Sequence, residues 1–175
     1  MAGLANCCSP YGLYGVGSPR EASPRAKEAA LTALRVDETL GEAHSALAWI
    51  KMVYDWDWSG AQRALTRAID LNPHDGTAHL RYAASWETMG RGDESIAEAT
   101  RALEAEPLSI IISVTAGRMF YHTHHYDQAV AEFNKSLELD PNFAQIHLYL
   151  GWVYEQQARY ADAITELQKG VALSG

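Results

Sequence analysis

Small and hydrophobic residues recur three and four positions apart along most of the chain, with polar residues between them. Ala129, Phe133 and Leu137 show the spacing, which places such residues on one face of a helix. Prolines interrupt the pattern, because the residue before a proline is disfavoured in a helix. The pattern therefore predicts helical hairpins over about 42–72, 75–106, 109–140 and 143–174.

Residues of the same type also return in steps of about 34 positions, which indicates a tandem repeat. The aromatic positions are Trp58, Tyr126 and Tyr160, the small positions are Ala61, Ala129, Ala163, Gly117 and Gly151, and the prolines are Pro73, Pro107 and Pro141. We assign all of these residues structural roles. Small side chains let the two helices of a hairpin approach closely, aromatic rings fill the space beside them, and each proline separates two hairpins.

This period and these positions resemble the tetratricopeptide repeat family along nearly the whole chain. The resemblance implies an all-α fold, a right-handed superhelical solenoid of antiparallel helical hairpins. Residues 41–175 are expected to form four hairpins, at about 41–75, 76–109, 110–143 and 144–175. Residues 1–40 are expected to form a partial, irregular first repeat with an inserted loop at 9–19, and the whole chain to be a piece of a longer protein.

The segment "DWDWSGA", residues 55–61, is expected to form the corner of the first complete hairpin. Trp58 occupies the aromatic position at the start of the second helix, and Trp56 falls in the turn. Asp57 or Ser59 is a candidate helix cap. This repeat contains one residue more than the others before Ala61, and we expect residues 55–57 to absorb it. The surrounding residues 54–73 also resemble repeat regions attached to bacterial transcriptional regulators, protein kinases and nucleotide cyclases.

Composition and charge exclude several classes of function. The chain has 47% hydrophobic and 21% charged residues and a net charge of −8, with acidic and basic residues interspersed. We expect no nucleic-acid binding by this segment, because no basic stripe is present to meet a phosphate backbone. No apolar run approaches the length of a membrane span, so no membrane association is expected. The only cysteines, Cys7 and Cys8, are adjacent, which favours a cytoplasmic location.

Catalytic chemistry finds little support in the sequence. His122, His124 and His125 are the sharpest candidates for a metal site, but the repeat places them at a hairpin turn, where polar residues are tolerated. No nucleophile, base and orienting group can be argued to converge. We therefore expect neither an enzyme nor a cofactor, with a metal-binding or enzymatic protein based on these histidines as the alternative.

The remaining expectation is recognition of a partner by surface. In the family that the chain resembles, the first helix of each hairpin lines a concave groove that binds a peptide or a protein. Transferred by position, the groove residues are Trp49, Met52, Leu80, Glu87, Ile111, Val114, Arg118, Tyr121, His122, Leu148, Trp152 and Glu155. The last helix also carries apolar residues at helical spacing, and we expect weak self-association near Ile164, Gln168 and Val171.

Overall fold

The computed structural model describes residues 19–175, and the environments of side chains from residue 23 onward. Residues 1–18 lie outside the described part. The predictions of a helix over residues 2–9 and of an inserted loop at 9–19 therefore fall there, apart from Pro19, which begins the first described helix.

Every regular element of the described residues is a helix, and no strand occurs among them. The α-helices are α1 (Pro19–Val36), α2 (Gly41–Ile50), α3 (Trp58–Leu71), α4 (Gly76–Thr88), α5 (Gly92–Ala105), α6 (Ile110–His122), α7 (Tyr126–Leu139), α8 (Ala144–Gln156) and α9 (Tyr160–Ser174). A π-helix, Lys51–Asp55, continues α2 without a break. The predicted all-α fold is confirmed.

Successive helices pack as antiparallel hairpins, α2 with α3, α4 with α5, α6 with α7 and α8 with α9. The helix α1 packs on α2. The three predicted prolines, Pro73, Pro107 and Pro141, all lie in the short loops between hairpins. We call the helices α2, α4, α6 and α8 the first helices, and α3, α5, α7 and α9 the second helices.

Small residues mark the closest contacts inside each hairpin, as predicted. Ala61, Ala129 and Ala163 are buried, and Gly117 lies against the fully buried ring of Phe133. A Cβ atom at position 117 would come within 2.7 Å of that ring, which explains why only glycine fits there. The small side chains thus set the distance between the two helices.

The aromatic positions are filled unequally. Trp58 and Tyr126 are half-buried and pack against core clusters of their hairpins. Tyr160 is 63% exposed, so its predicted packing role is not seen. The reason is that no helix among the described residues lies against the outer side of α9, whereas α7 is covered by α8.

The corner at "DWDWSGA" differs from the prediction in one respect. All four hairpin turns place one residue in the left-handed region, namely Trp56, Gly90, His124 and Ala158. These positions are 34 residues apart, so the first turn has the same length as the others. The additional residue of this repeat consequently lies before the turn and not within it.

Backbone hydrogen bonds locate the additional residue in the π-helix. The Arg91 amide donates to the Trp86 carbonyl at 2.9 Å, across five residues. The equivalent Asp57 amide donates to the Lys51 carbonyl at 2.9 Å, across six. The wider turn of a π-helix accommodates one extra residue, so the prediction that residues 55–57 absorb it is wrong.

Asp57 is the cap of α3, as predicted. Its side chain accepts a hydrogen bond from the Gly60 amide at 2.8 Å and pairs with the Lys51 ammonium group at 2.8 Å. The hydrogen bond from Lys51, followed by that from Gly60, lowers the pKa of Asp57 to about 2. Its carboxylate therefore joins the end of the first helix to the beginning of the second.

Candidate functional site on the first helices

The first helices form a continuous surface on one side of the array. The helix α2 contacts α4, α4 contacts α6, and α6 contacts α8. No comparable contact joins successive second helices among the described residues. In a curved stack, neighbours are closest on the inner side, so the first helices face the concave side, the usual binding surface of such arrays.

Three of the predicted groove residues are buried and offer almost no surface to a partner. Leu80 and Val114 belong to the main hydrophobic core, and Met52 packs with Ala61 and Leu65 in a second cluster. The prediction for these three residues is corrected, because their side chains face neighbouring helices and not the groove.

The other nine predicted groove residues retain accessible surface. Ile111, His122, Trp152 and Glu155 are exposed, and Trp49, Glu87, Arg118, Tyr121 and Leu148 are partly exposed. Ile111 and Trp152 stand out among the hydrophobic residues, with exposed fractions of 76% and 44%. Leu148 leans toward α9, since a Cβ atom at Gly170 would lie only 2.7 Å from its Cδ2 atom.

Trp152 is held in place by buried aromatic neighbours. Its ring meets Tyr149 edge-on with centroids 5.4 Å apart, and Tyr149 stacks on Phe133 at 5.4 Å. The Tyr149 hydroxyl accepts a hydrogen bond from the Gln145 side chain at 3.0 Å. An exposed tryptophan supported from below in this way loses little conformational entropy on binding, which is typical of interface hot spots.

Arg118 supplies a half-buried positive charge in the same row of residues. It makes no hydrogen bond or ion pair with the described residues, and it lies one repeat before Trp152. The corresponding positions of the two preceding first helices hold Ala84 and Trp49. The row therefore places a cation between a small residue and an exposed tryptophan.

The three histidines of the proposed metal cluster have separate partners. His122 pairs with Glu87 of the neighbouring first helix, and the Nδ1 atom of His124 hydrogen-bonds to the Tyr126 hydroxyl at 2.8 Å. His125 donates from Nδ1 to the Thr123 carbonyl at 2.8 Å. Within residues 19–175, no group of three or more His, Cys, Asp or Glu side chains is placed to hold a metal ion.

Sequence analysis missed a buried pair of polar residues in the second hairpin. The His79 Nδ1 atom donates to Glu98 at 2.7 Å, and Nε2 donates to the Pro73 carbonyl at 3.0 Å. Both ring nitrogens face acceptors, which favours the imidazolium form. The hydrogen bond to Glu98 is the main cause that raises the pKa of His79, against the opposing effect of burial.

The same connection recurs two repeats later, where His147 donates to Glu166 at 2.6 Å. In the intervening hairpin, Ser113 donates to Glu132 at 2.6 Å. The partners are 19 residues apart in each case, and the glutamates recur every 34 residues. That regular spacing is a sequence signal that could have revealed the pairs. They brace the first helix of each hairpin against the second and so support the groove.

Comparison with known families and structures places this arrangement. Residues 56–110 match a family described as "Tetratricopeptide repeat", and residues 117–158 match one described as "TPR repeat". A search of curated proteins found no match. None of the helices in the described part of the chain is long and apolar enough to cross a membrane.

Several solved structures share the fold at low sequence identity. PilF of Pseudomonas aeruginosa is 19% identical, with a TM-score of 0.75 over 99% of this chain and 78% of that one. MamA of Desulfovibrio magneticus RS-1 is 16% identical, with a TM-score of 0.72 over 99% and 94%. YrrB, described as "a TPR protein with an unusual peptide-binding site", is 16% identical, with a TM-score of 0.68 over 97% and 84%. With matches across more than half of its length and this solenoid of hairpins, the chain belongs to the tetratricopeptide repeat family.

Proposed function

We propose that this chain is a non-enzymatic scaffold that binds a peptide or a segment of a protein on the concave face of its first helices. The observation that carries the proposal is the row formed by Arg118 and Trp152. It combines a cation that lacks a partner among the described residues with an exposed, rigidly supported aromatic ring. Ile111 adds an exposed apolar side chain on the same helix as Arg118.

The chemistry of this row defines the partner. Arg118 favours a carboxylate, since a guanidinium group forms its strongest hydrogen bonds with planar anions. Trp152 favours an aromatic or large aliphatic side chain. Packed helices lie about 8–10 Å apart, and an extended peptide covers that distance in about three residues. The preferred segment therefore carries an acidic and a large apolar residue about three positions apart.

The context of the scaffold is also proposed. The resemblance of residues 54–73 to repeat regions of bacterial regulators, kinases and cyclases supports a role as the sensory or oligomerisation arm of such a protein, in the cytoplasm. In that role, the groove would hold a segment that reports on the state of the regulator. The metal-binding alternative gains no support from the separate partners of the three histidines.

A random peptide library displayed on phage tests the proposal on the full chain. We expect selected peptides to carry the acidic and apolar pair. Arg118→Ala is expected to weaken their binding about 10-fold or more, as removal of a charged hydrogen bond does, and Trp152→Ala to have a similar effect. Arg67→Ala is the matched control, because Arg67 is exposed on a second helix.

The helical circular dichroism and the melting temperature of the groove variants should match those of the wild type, because both side chains lie at least partly at the surface. Selection of no peptide, or of peptides that bind the two groove variants as tightly as the wild type, would show that this row is not the binding site.

A further inference from the structure

The outer face of α9 is an open apolar surface. Ile164 and Val171 are 57% and 69% exposed, and with Leu167, Gln168 and Ala172 they line a shallow depression of about 400 Å³. None of the other described helices covers this side of α9. The face is distinct from the groove, which belongs to the first helices.

The equivalent faces of the preceding second helices are interfaces inside the array. Ile96 and Leu103 of α5, and Val130 and Leu137 of α7, occupy the same repeat positions as Ile164 and Val171. All four are partly buried against the main core, and they lie on helices covered by α6 and α8. The α9 face thus continues an interface that the other hairpins use, and it keeps the apolar residues that an interface needs.

The charged residues of α9 are already engaged elsewhere. Asp162 pairs with Arg159 at 2.7 Å, and Glu166 pairs with Lys169 at 2.8 Å and with His147 at 2.6 Å. The residues that line the depression are uncharged. A second copy of the chain can therefore approach this face without like-charge repulsion across the contact, despite the net charge of −8.

We propose that a second copy of this chain covers the face, with the two α9 helices antiparallel about a two-fold axis between Leu167 and Gln168. Ile164 and Val171 are equally distant from that axis along the sequence, so each isoleucine meets the valine of the other copy. A two-fold contact closes both open faces at once, which a contact with an unrelated surface does not do.

The expected dimer is weak. A stable interface buries roughly 800 Å² on each partner, whereas one face of one helix supplies only a few hundred Å². Association should therefore depend strongly on protein concentration. It should not depend on the groove, so Arg118→Ala and Trp152→Ala are expected to leave it unchanged. This proposal and the proposed function can consequently fail independently.

Sedimentation of the full chain over concentrations from about 10 µM to about 1 mM, a range suited to a small, transient contact, tests the proposal. We expect wild-type protein to shift from monomer to dimer, and Ile164→Lys with Val171→Lys to remain monomeric. Val36→Lys with Leu108→Lys is the control, because those side chains are at least as exposed but lie outside α9. The control pair should dimerise like the wild type, and circular dichroism verifies that each variant is folded.

A cysteine placed near the axis tests the orientation. Gln168→Cys, with Cys7 and Cys8 changed to Ser, is expected to form a disulfide between copies under mild oxidation, because residues at a two-fold axis lie within disulfide reach. Arg67→Cys in the same background should not. A strictly monomeric wild type, a dimer that survives in the α9 variant, or a lack of cross-linking at position 168 would overturn the proposal.

Discussion

Ser95→Ala is expected to stabilise the protein. Ser95 lies in the first turn of α5 with its side chain fully buried, and its hydroxyl oxygen has no hydrogen-bond partner. The equivalent positions of the other three hairpins hold Ala61, Ala129 and Ala163, all buried against the first helix of their hairpin. The hydroxyl group therefore occupies a site that the fold fills with a methyl group elsewhere.

The gain in stability can be worked from three contributions. A buried hydroxyl group without a partner costs about 1–3 kcal/mol, and alanine is a better helix former than serine by about 0.5 kcal/mol. Loss of one oxygen atom leaves a small void, which costs roughly 0.3 kcal/mol at ~24 cal/mol per Å³. The free energy of unfolding should rise by about 1–2 kcal/mol, and the melting temperature by about 2–8 °C.

Urea unfolding followed by circular dichroism measures the effect, with Ser136→Ala as the matched control. Ser136 is equally buried, but its hydroxyl donates to the Glu132 carbonyl at 2.9 Å. Its removal should leave the urea midpoint unchanged or lower it slightly, because a hydrogen bond is lost. The reasoning fails if Ser95→Ala leaves the midpoint unchanged or lowers it, or if both alanine variants gain equally.

Three further predictions concern the corner, the buried histidine and the helix contact. Trp58→Ala should lower the free energy of unfolding by about 2–3 kcal/mol, less than for a fully buried ring, whereas Trp56→Ala, in the exposed turn, should cost under about 0.5 kcal/mol; equal urea midpoints for the two variants would contradict this. Because the pKa of His79 is raised in the folded state by Glu98, its stabilising effect should be complete below about pH 6.5 and lost as pH rises through the raised value. Urea midpoints measured across that range should therefore fall more in the wild type than in His79→Gln, and parallel pH profiles would count against it. Gly117→Ala should cost about 1–3 kcal/mol through overpacking against the facing phenylalanine ring, and an unchanged melting temperature would show that the ring can move away.

The sequence predicted those parts of the fold that depend on local rules. The prolines at 73, 107 and 141 mark the loops between hairpins, because proline restricts the residue before it wherever it occurs. The small residues at the helix crossings were identified for a similar reason, since few side chains fit there. Such positions announce themselves by residue type alone.

Exposure on the first helices could not be predicted in this way. Ile111 and Val114 are both apolar residues on α6 that the sequence assigned to the groove, yet the first is exposed and the second is buried. The difference depends on how α6 lies against its neighbouring helices, which a single sequence does not specify. The pairing of His79 with Glu98 was missed for a related reason, because it joins two helices and is not visible within either.

The π-helix at Lys51–Asp55 separates the length of a repeat from its packing. One additional residue in a continuous α-helix would rotate every following side chain by about 100°. Here, a single widened turn absorbs that rotation, so the turn at Trp56 and the helix that begins at Trp58 keep the geometry of their counterparts. Insertions at this site can therefore arise without repacking the rest of the array. A comparison of repeats in fixed steps of 34 residues will misalign the residues before Lys51, although their packing is preserved.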